Sequence, residues 1–473
     1  MHLKSENFSA NAEAAVADAG LQKRLRVLDT FTLRRTAAFA ELPDGEALRD
    51  RAREIKEQTI ANLDHYLVQL EQSVERSGGH VHWARNGKEA CAIILDIARR
   101  NEVRRVVKSK SMATEEIELN AALERAGIEA VETDLGEYIV QLADEPPSHI
   151  LAPAIHKSKG DIAALFAEKL GTKNLHEAEE MAAVARGMLR ERFRSAEMGV
   201  TGANFAVAET GTIVLVENEG NIRLSTSLPR LHVAVVGIEK LIPRFADLRV
   251  FLKILARSAT GQTMSSYVSF ITGARRADEV DGADEFHLVL LDNGRTRILA
   301  DADKRESLYC LRCGACLNVC PVYQKIGGHA YGSVYSGPIG SIITPPLAGL
   351  EQSKDLPFAS TLCGACREVC PVRINIPHVL LHLRSEWSEG GTEHRPHAPF
   401  VERMAIKVWA FAMKHPRLYN WSFRLPARLQ GPLLKDGKFE RLPLAAGNWT
   451  RNRDFPAIAR KPFRALWREM NKP

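Results

Sequence analysis

Apolar residues recur at helical spacing from Glu46 to Arg76, where Leu48, Ile55, Leu63, Leu67, Leu70 and Val74 define one long amphipathic helix. Gly78-Gly79 predicts its end. Upstream, Met1 to Asp44 reads as an arm of short helical pieces, with Leu21, Leu25 and Leu28 as its docking residues. Downstream, Lys88 to Arg100 repeats the helical pattern with Cys91, Ile93, Ile94 and Ile97 on the apolar side. Cys91 there reads as a small buried hydrophobe, not a ligand.

From Val103 the period changes, and strands alternate with helices. Val103 to Lys108 predicts a strand, and Ser111 or Thr114 caps a helix over Glu115 to Arg125 that Gly127 ends. Ile128 to Thr133 predicts the next strand, Asp134 to Leu142 a short helix or turn, Ile150 to Ala152 a strand, and Glu177 to Glu197 a long helix. Gly202 to Val216 reads as two strands joined at Glu209-Thr210-Gly211, followed by a polar loop over Glu217 to Arg223. Leu231 to Val236 is a continuous apolar run, as in a strand covered on both faces. Ile238 to Leu248 predicts a helix and Phe286 to Leu291 a last strand. The alternation implies an α/β domain with a mostly parallel sheet over residues 70–300, preceded by the helical arm at 1–69.

Composition narrows the setting without changing that picture. The chain has 473 residues, 45% hydrophobic and 26% charged, ordinary values for two or three globular domains. No apolar run approaches the roughly 18 residues of a membrane span, and Met1 to Gly20 lacks the apolar core of an export signal, so a cytoplasmic location is expected. The formal charge of +6 is uneven, because Lys and Arg outnumber Asp and Glu from Arg395 to Pro473. Trp409, Trp421, Trp449 and Trp467 share that stretch, which reads as a helical, basic extension over 391–473. Such a surface suits peripheral membrane contact or an acidic partner; nothing else in the chain points to nucleic acid.

The candidate chemistry lies over 301–390. Cys310-x2-Cys313-x2-Cys316-x3-Cys320-Pro321 has the spacing by which bacterial ferredoxins hold 4Fe–4S clusters, and Cys363-x2-Cys366-x3-Cys370-Pro371 repeats its end. Seven of the eight cysteines lie in these runs. In two-cluster ferredoxins the cysteine before proline ligates the other cluster. Applied here, Cys310, Cys313, Cys316 and Cys370 complete one 4Fe–4S site. Cys320, Cys363 and Cys366 form a second, whose expected fourth position is Ser360. That site suits a 3Fe–4S cluster, or a 4Fe–4S cluster whose last iron takes Ser360, water or a partner's ligand. A zinc site takes four ligands and fits seven ordered thiols poorly. Gly314 and Gly364 offer backbone amides to the clusters, and Arg312 and Arg367 are the nearby cations.

Other residues carry weaker signals. No strand–G-x-G-x-x-G–helix unit marks a flavin or nicotinamide site. His80, His82, His149 and His156 lack ligand spacing, and His329 lies in the Gly-rich connection between the cysteine runs.

The stretch Ala208-Glu209-Thr210-Gly211-Thr212, with Leu231-His232-Val233-Ala234-Val235-Val236-Gly237-Ile238-Glu239-Lys240, resembles the lactate-utilization (LUD) domain, which is similar to NagB, ribose-5-phosphate isomerase (RpiA) and CoA-transferases. The order of that domain, the four-cysteine run, Gly327-Gly328-His329-Ala330-Tyr331-Gly332 and Leu362-Cys363-Gly364-Ala365-Cys366 resembles the lactate utilization protein B (LutB) family. The resemblance implies an α-helical ferredoxin-type dicluster domain after the α/β domain, like that of succinate dehydrogenase iron–sulfur subunits. It implies an iron–sulfur electron-transfer subunit working with LutA-like and LutC-like proteins to oxidise L-lactate to pyruvate, a component of an oxidoreductase complex and not catalytic alone. The fold analogy also invites comparison of Glu209 with the CoA-transferase nucleophile, although a fold does not carry its chemistry along. The alternative is a regulatory or scaffolding protein whose clusters sense redox state or iron.

Overall fold

The computed structural model describes residues 3–173, 175–391, 398–442, 447, 449–450 and 453–471. It divides into two units, Met1–Ser385 and Glu386–Pro473.

In the first unit the strands are β1 (His80–Ala84), β2 (Arg105–Lys108), β3 (Glu129–Glu132), β4 (Met198–Thr201), β5 (Phe205–Val207), β6 (Thr212–Glu217), β7 (Leu231–Gly237), β8 (Leu241–Ile242), β9 (Tyr267–Ile271) and β10 (Glu285–Leu291). One sheet has the order β1-β10-β7-β4-β2-β3, and every pairing in it is parallel. The second sheet, β8-β5-β6-β9, is mixed. All of β7 is buried, as its unbroken apolar run predicts. From β2 the chain moves to β3 in one direction, and from β4 to β7 and β10 in the other. The crevice beyond the carboxyl ends of β2 and β4 is therefore a topological switch point, where α/β sheets bind ligands.

Several predicted elements break where tertiary contacts or side chains override local pattern. The long helix over 46–76 is two helices, Gly45–Ala61 and Leu63–Arg76. Asn62 separates them, its side-chain amide donating to the Gln58 carbonyl at 2.8 Å and diverting the last turn. Glu118, at φ +56°, splits the helix predicted over 115–125 into Met112–Glu116 and Leu119–Arg125. Ile150 to Ala152 is a turn rather than a strand, because His149 Nδ1 accepts from the amides of Leu151 and Ala152 at 3.0 and 3.2 Å. Ile238 to Leu248 is not a helix: Leu241 and Ile242 pair with Ala206 and Val207, Pro243 follows, and helix begins only at Leu248, running to Ala259. The loop predicted over 217–223 already contains the start of the helix Asn221–Ser227.

Leu25 and Leu28 of the N-terminal arm are buried in a core that also holds β5, β7 and residues of the cysteine region such as Leu308, Leu311 and Leu317. The arm is thus structural cement between regions that the sequence presents as separate. Arg35 donates to the Val369 carbonyl at 2.7 Å, Arg49 to Cys370 at 2.9 Å and Arg53 to Arg373 at 2.7 Å.

The second unit contains the helices Phe400–Lys414, Pro416–Leu429 and Phe463–Met470, with a two-stranded antiparallel pair, Lys438–Phe439 and Phe455–Pro456. Trp409, Trp421, Trp449 and Trp467 are all exposed on it. Among the described residues, no helix is long and apolar enough to cross a membrane.

Candidate metal centre

The two cysteine runs share one backbone frame. Each places a short helix directly after a glycine at positive φ: Ala315–Asn318 after Gly314 (φ +74°) and Ala365–Glu368 after Gly364 (φ +85°). Left-handed backbone is cheap at glycine, and it turns successive amides and side chains inward. The residue before the second position of each frame, Cys313 and Cys363, is also left-handed, Arg312 at +61° and Leu362 at +55°. Non-glycine residues adopt this conformation at a cost, so both turns are held by their surroundings.

Cys310, Cys313, Cys316 and Cys370 line one cavity, whose other walls include Leu311, Ile339, Val372, Ile374 and Ile376. Burial pushes the Cys313 thiol up to about 12 and the Cys370 thiol up to about 11. Cys316 is raised by burial and by its crowding against Cys310, Cys313, Cys366 and Cys370. Packed thiols in an apolar pocket ionise only with a cation among them, which fits an iron centre. Two backbone amides already point at sulfur, Arg312 to Cys310 at 3.3 Å and Ile374 to Cys370 at 3.4 Å. Such bonds orient thiolates and raise the potential of a bound cluster.

Cys320, Cys363 and Cys366 form the other group. Cys320 and Cys366 are buried and Cys363 is exposed. Burial raises Cys366 to about 12, with Cys320 and Cys363 adding to the effect. Cys363 moves the other way, lowered by the Thr361 hydroxyl and the Ala365 amide. Ser360 completes the frame: its Oγ accepts from the Leu362 amide at 3.1 Å, the same bond that Cys310 Sγ accepts from Arg312.

A buried ionic chain joins the first cysteine loop to the α/β sheet. Arg295 holds Glu116 at 2.9 Å and Glu239 at 2.6 Å, and Arg312 reaches Glu239 at 3.4 Å. Burial alone would raise Glu239, but Arg295 and Arg312 hold its carboxyl down at about 2. Tyr335 donates to Glu116 at 2.5 Å, and the Arg312 guanidinium stacks 4.5 Å over the Tyr335 ring. Beside this chain lies a cavity of about 280 Å³, bounded by the loops after β2, β4 and β7 and by Leu311 and Arg312.

Residues 67–291 match the LUD domain, 306–374 the 4Fe-4S dicluster domain and 383–472 the C-terminal domain of lactate utilisation protein B. Lactate utilization protein B of Bacillus licheniformis is 44% identical over 457 residues, 96% of this chain and 94% of its own. The chain belongs to the lactate utilization protein B family. The protein of the same name from Geobacillus sp. (strain WCH70) is 44% identical over 472 residues, 100% of this chain and 97% of its own. A crystal structure of a DUF162 family protein from Deinococcus radiodurans is similar over 49% of this chain and 98% of its own, at 15% identity and a TM-score of 0.26.

The dicluster match makes this family member an iron–sulfur protein of lactate utilization. Other residues singled out in the sequence lie elsewhere. Glu209 is exposed and accepts from the Phe245 amide at 2.8 Å, a turn contact away from both cavities. His329 Nε2 is held by the Pro146 carbonyl at 2.7 Å, and its ring packs against His156. His80 and His82 belong to a histidine cluster on β1 and β10. His149 is buried and bonded to Asn318 at 3.0 Å, inside the first cysteine run. Cys91 is buried with its Sγ on the Ile117 carbonyl at 3.4 Å. Arg367 is exposed, whereas Arg312 is buried in the ionic chain. Sequence reasoning missed the arginines of the N-terminal arm, which read as an ordinary charged helix face.

Proposed function

We propose that this chain is the iron–sulfur electron-transfer subunit of an L-lactate-oxidising system, acting with LutA-like and LutC-like partners in the cytoplasm. Cys310, Cys313, Cys316 and Cys370 would hold a 4Fe–4S cluster. Cys320, Cys363 and Cys366 would hold a second cluster, either 3Fe–4S or 4Fe–4S with Ser360, water or a partner residue on the fourth iron. Bound clusters accept and release one electron at a time, so two sites match the two electrons lost when a 2-hydroxy acid becomes a 2-oxo acid.

The observation that supports this reading is the repeated frame, with Cys316 near enough to Cys310, Cys313 and Cys370 on one side and to Cys366 on the other for their charges to raise its thiol. The chain's own residues supply the rest. Arg35, Arg49 and Arg53 fix the carbonyls around Cys370, apolar walls exclude water from the first site, and amides from Arg312 and Ile374 brace sulfur. Exposed Cys363 offers an outer edge for exchange with a partner.

The test is anaerobic mixing of the purified chain with L-lactate, with and without the two partners, following the visible absorbance of the clusters. Bleaching only with partners is expected. Bleaching by lactate with this chain alone would make it the dehydrogenase itself, and no bleaching in the full mixture would remove the relay. The exposure of Cys363 also favours a sensing role, which predicts an effect that tracks cluster loss rather than cluster reduction.

A further inference from the structure

We propose that the cavity at the switch point of the parallel sheet binds a small carboxylate anion, anchored by Arg312 and flanked by Lys240 and Ser109. The ligand's class, a 2-hydroxy or 2-oxo acid, rests on the function proposed above; the binding itself rests on the cavity.

The cavity of about 280 Å³ lies beyond the carboxyl ends of β2, β4 and β7, and the first cysteine loop closes one side of it. Its acidic lining is already engaged. Glu217 accepts from the amides of Ile222 and Arg223 at 2.8 and 2.9 Å, and Asp134 accepts from Gly136 at 2.9 Å. Glu219 accepts from Leu135 at 3.2 Å, and Glu239 is paired with Arg295.

Three cationic and hydroxyl groups of the lining, on Arg312, Lys240 and Ser109, are not engaged in the same way. The Arg312 side chain is 7% exposed, yet its Nη1 is buried without a hydrogen-bond partner. Its Nη2 reaches Glu239 only at 3.4 Å. Ser109 Oγ is likewise buried and unpartnered. Among the described residues the Lys240 amine makes no ion pair or hydrogen bond, and Lys240 lines the same cavity. A buried donor without a partner is costly, and a ligand that supplies the acceptor recovers that cost on binding. The planar guanidinium fork matches a carboxylate, Lys240 adds a point charge, and Ser109 suits the oxygen on the adjacent carbon. Arg312 lies between Cys310 and Cys313, so an anion on its guanidinium rests against the first cysteine loop.

The experiment titrates the anaerobic, cluster-loaded chain with L-lactate, pyruvate and inorganic phosphate by calorimetry, and records the EPR spectrum of the reduced protein with and without each. Saturable binding of lactate or pyruvate and a changed cluster signal are expected. Lys240→Gln and Ser109→Ala each weaken carboxylate binding, the first by about tenfold or more, at unchanged iron content. No saturable carboxylate binding, phosphate binding in place of carboxylate, or wild-type affinity in both variants would overturn the inference. A chain that relays electrons from its partners but binds no carboxylate loses this inference alone. One that binds carboxylate but never accepts electrons loses the relay and keeps the site.

Discussion

The two thiol groups use the same backbone and live in different surroundings. Around Cys310, Cys313, Cys316 and Cys370 the walls are apolar, Arg312 is buried, and the N-terminal arm clamps the chain at Cys370. Around Cys320, Cys363 and Cys366 one thiol is exposed, and a serine hydroxyl stands at the frame position that Cys310 fills in the first run. The shared frame supplies ligand geometry; burial, amide bonds and nearby charge set potential and lability. The first site is therefore expected to be the robust one and the second the exchangeable one.

The strongest way to break that contrast is Cys313→Ser. Loss of growth on lactate with growth on glucose untouched is expected, together with loss of the first site's iron. Normal lactate growth would remove this site from the pathway. Cys363→Ser sharpens the contrast, since iron assays should show depletion of the second site while the first stays loaded. Ser360→Cys approaches the same question from the other side. A fourth thiolate in the frame should slow oxygen-driven iron loss from the second site by several-fold, and an unchanged rate would mean that Ser360 does not face the metal.

A smaller effect concerns two buried histidines, His149 against the first cysteine run and His232 within the sheet. Burial holds His149 down at about 4, with Lys110 contributing, and holds His232 down at about 3. Both are neutral when folded, while the unfolded chain takes up protons near pH 6.5. Their stabilising effect is complete above that pH and is lost as pH falls from about 6.5 toward 4. Each should contribute roughly 1–2 kcal/mol of destabilisation at pH 5. Thermal unfolding at pH 5 and 8 should show the drop, and His149→Gln should reduce it by roughly half. The smallest expected effect is Cys91→Ser, with iron content unchanged and stability lowered by about 1 kcal/mol. Loss of iron there would contradict the ligand set.

The thiol frame was legible in the sequence because its geometry is local: spacing, Gly314 and Gly364 lie within a few residues of the sulfurs they position. The parallel sheet was legible at β7, whose run is apolar but for His232, and not at β1, where His80 and His82 interrupt the apolar run such a strand needs. The helix expected over 238–248 failed because β8 exists only by pairing with β5. The anion cavity joins residues 109, 240 and 312, each unremarkable in its own stretch, and emerges only once the sheet brings three loops to the cysteine loop. The clamp by Arg35, Arg49 and Arg53 was hidden for the same reason, since charge on a helix face reads as solvent-facing.

Whether one chain carries two cluster sites of unequal character is decided by low-temperature EPR of the anaerobically purified protein. Two cluster signals are expected in total, of which the first site gives a 4Fe–4S signal on dithionite reduction. The second gives either another reduced 4Fe–4S signal, lost first on exposure to air, or a 3Fe–4S signal already present in the oxidised protein. A single cluster signal under all conditions, or two that decay in air at the same rate, would contradict that expectation.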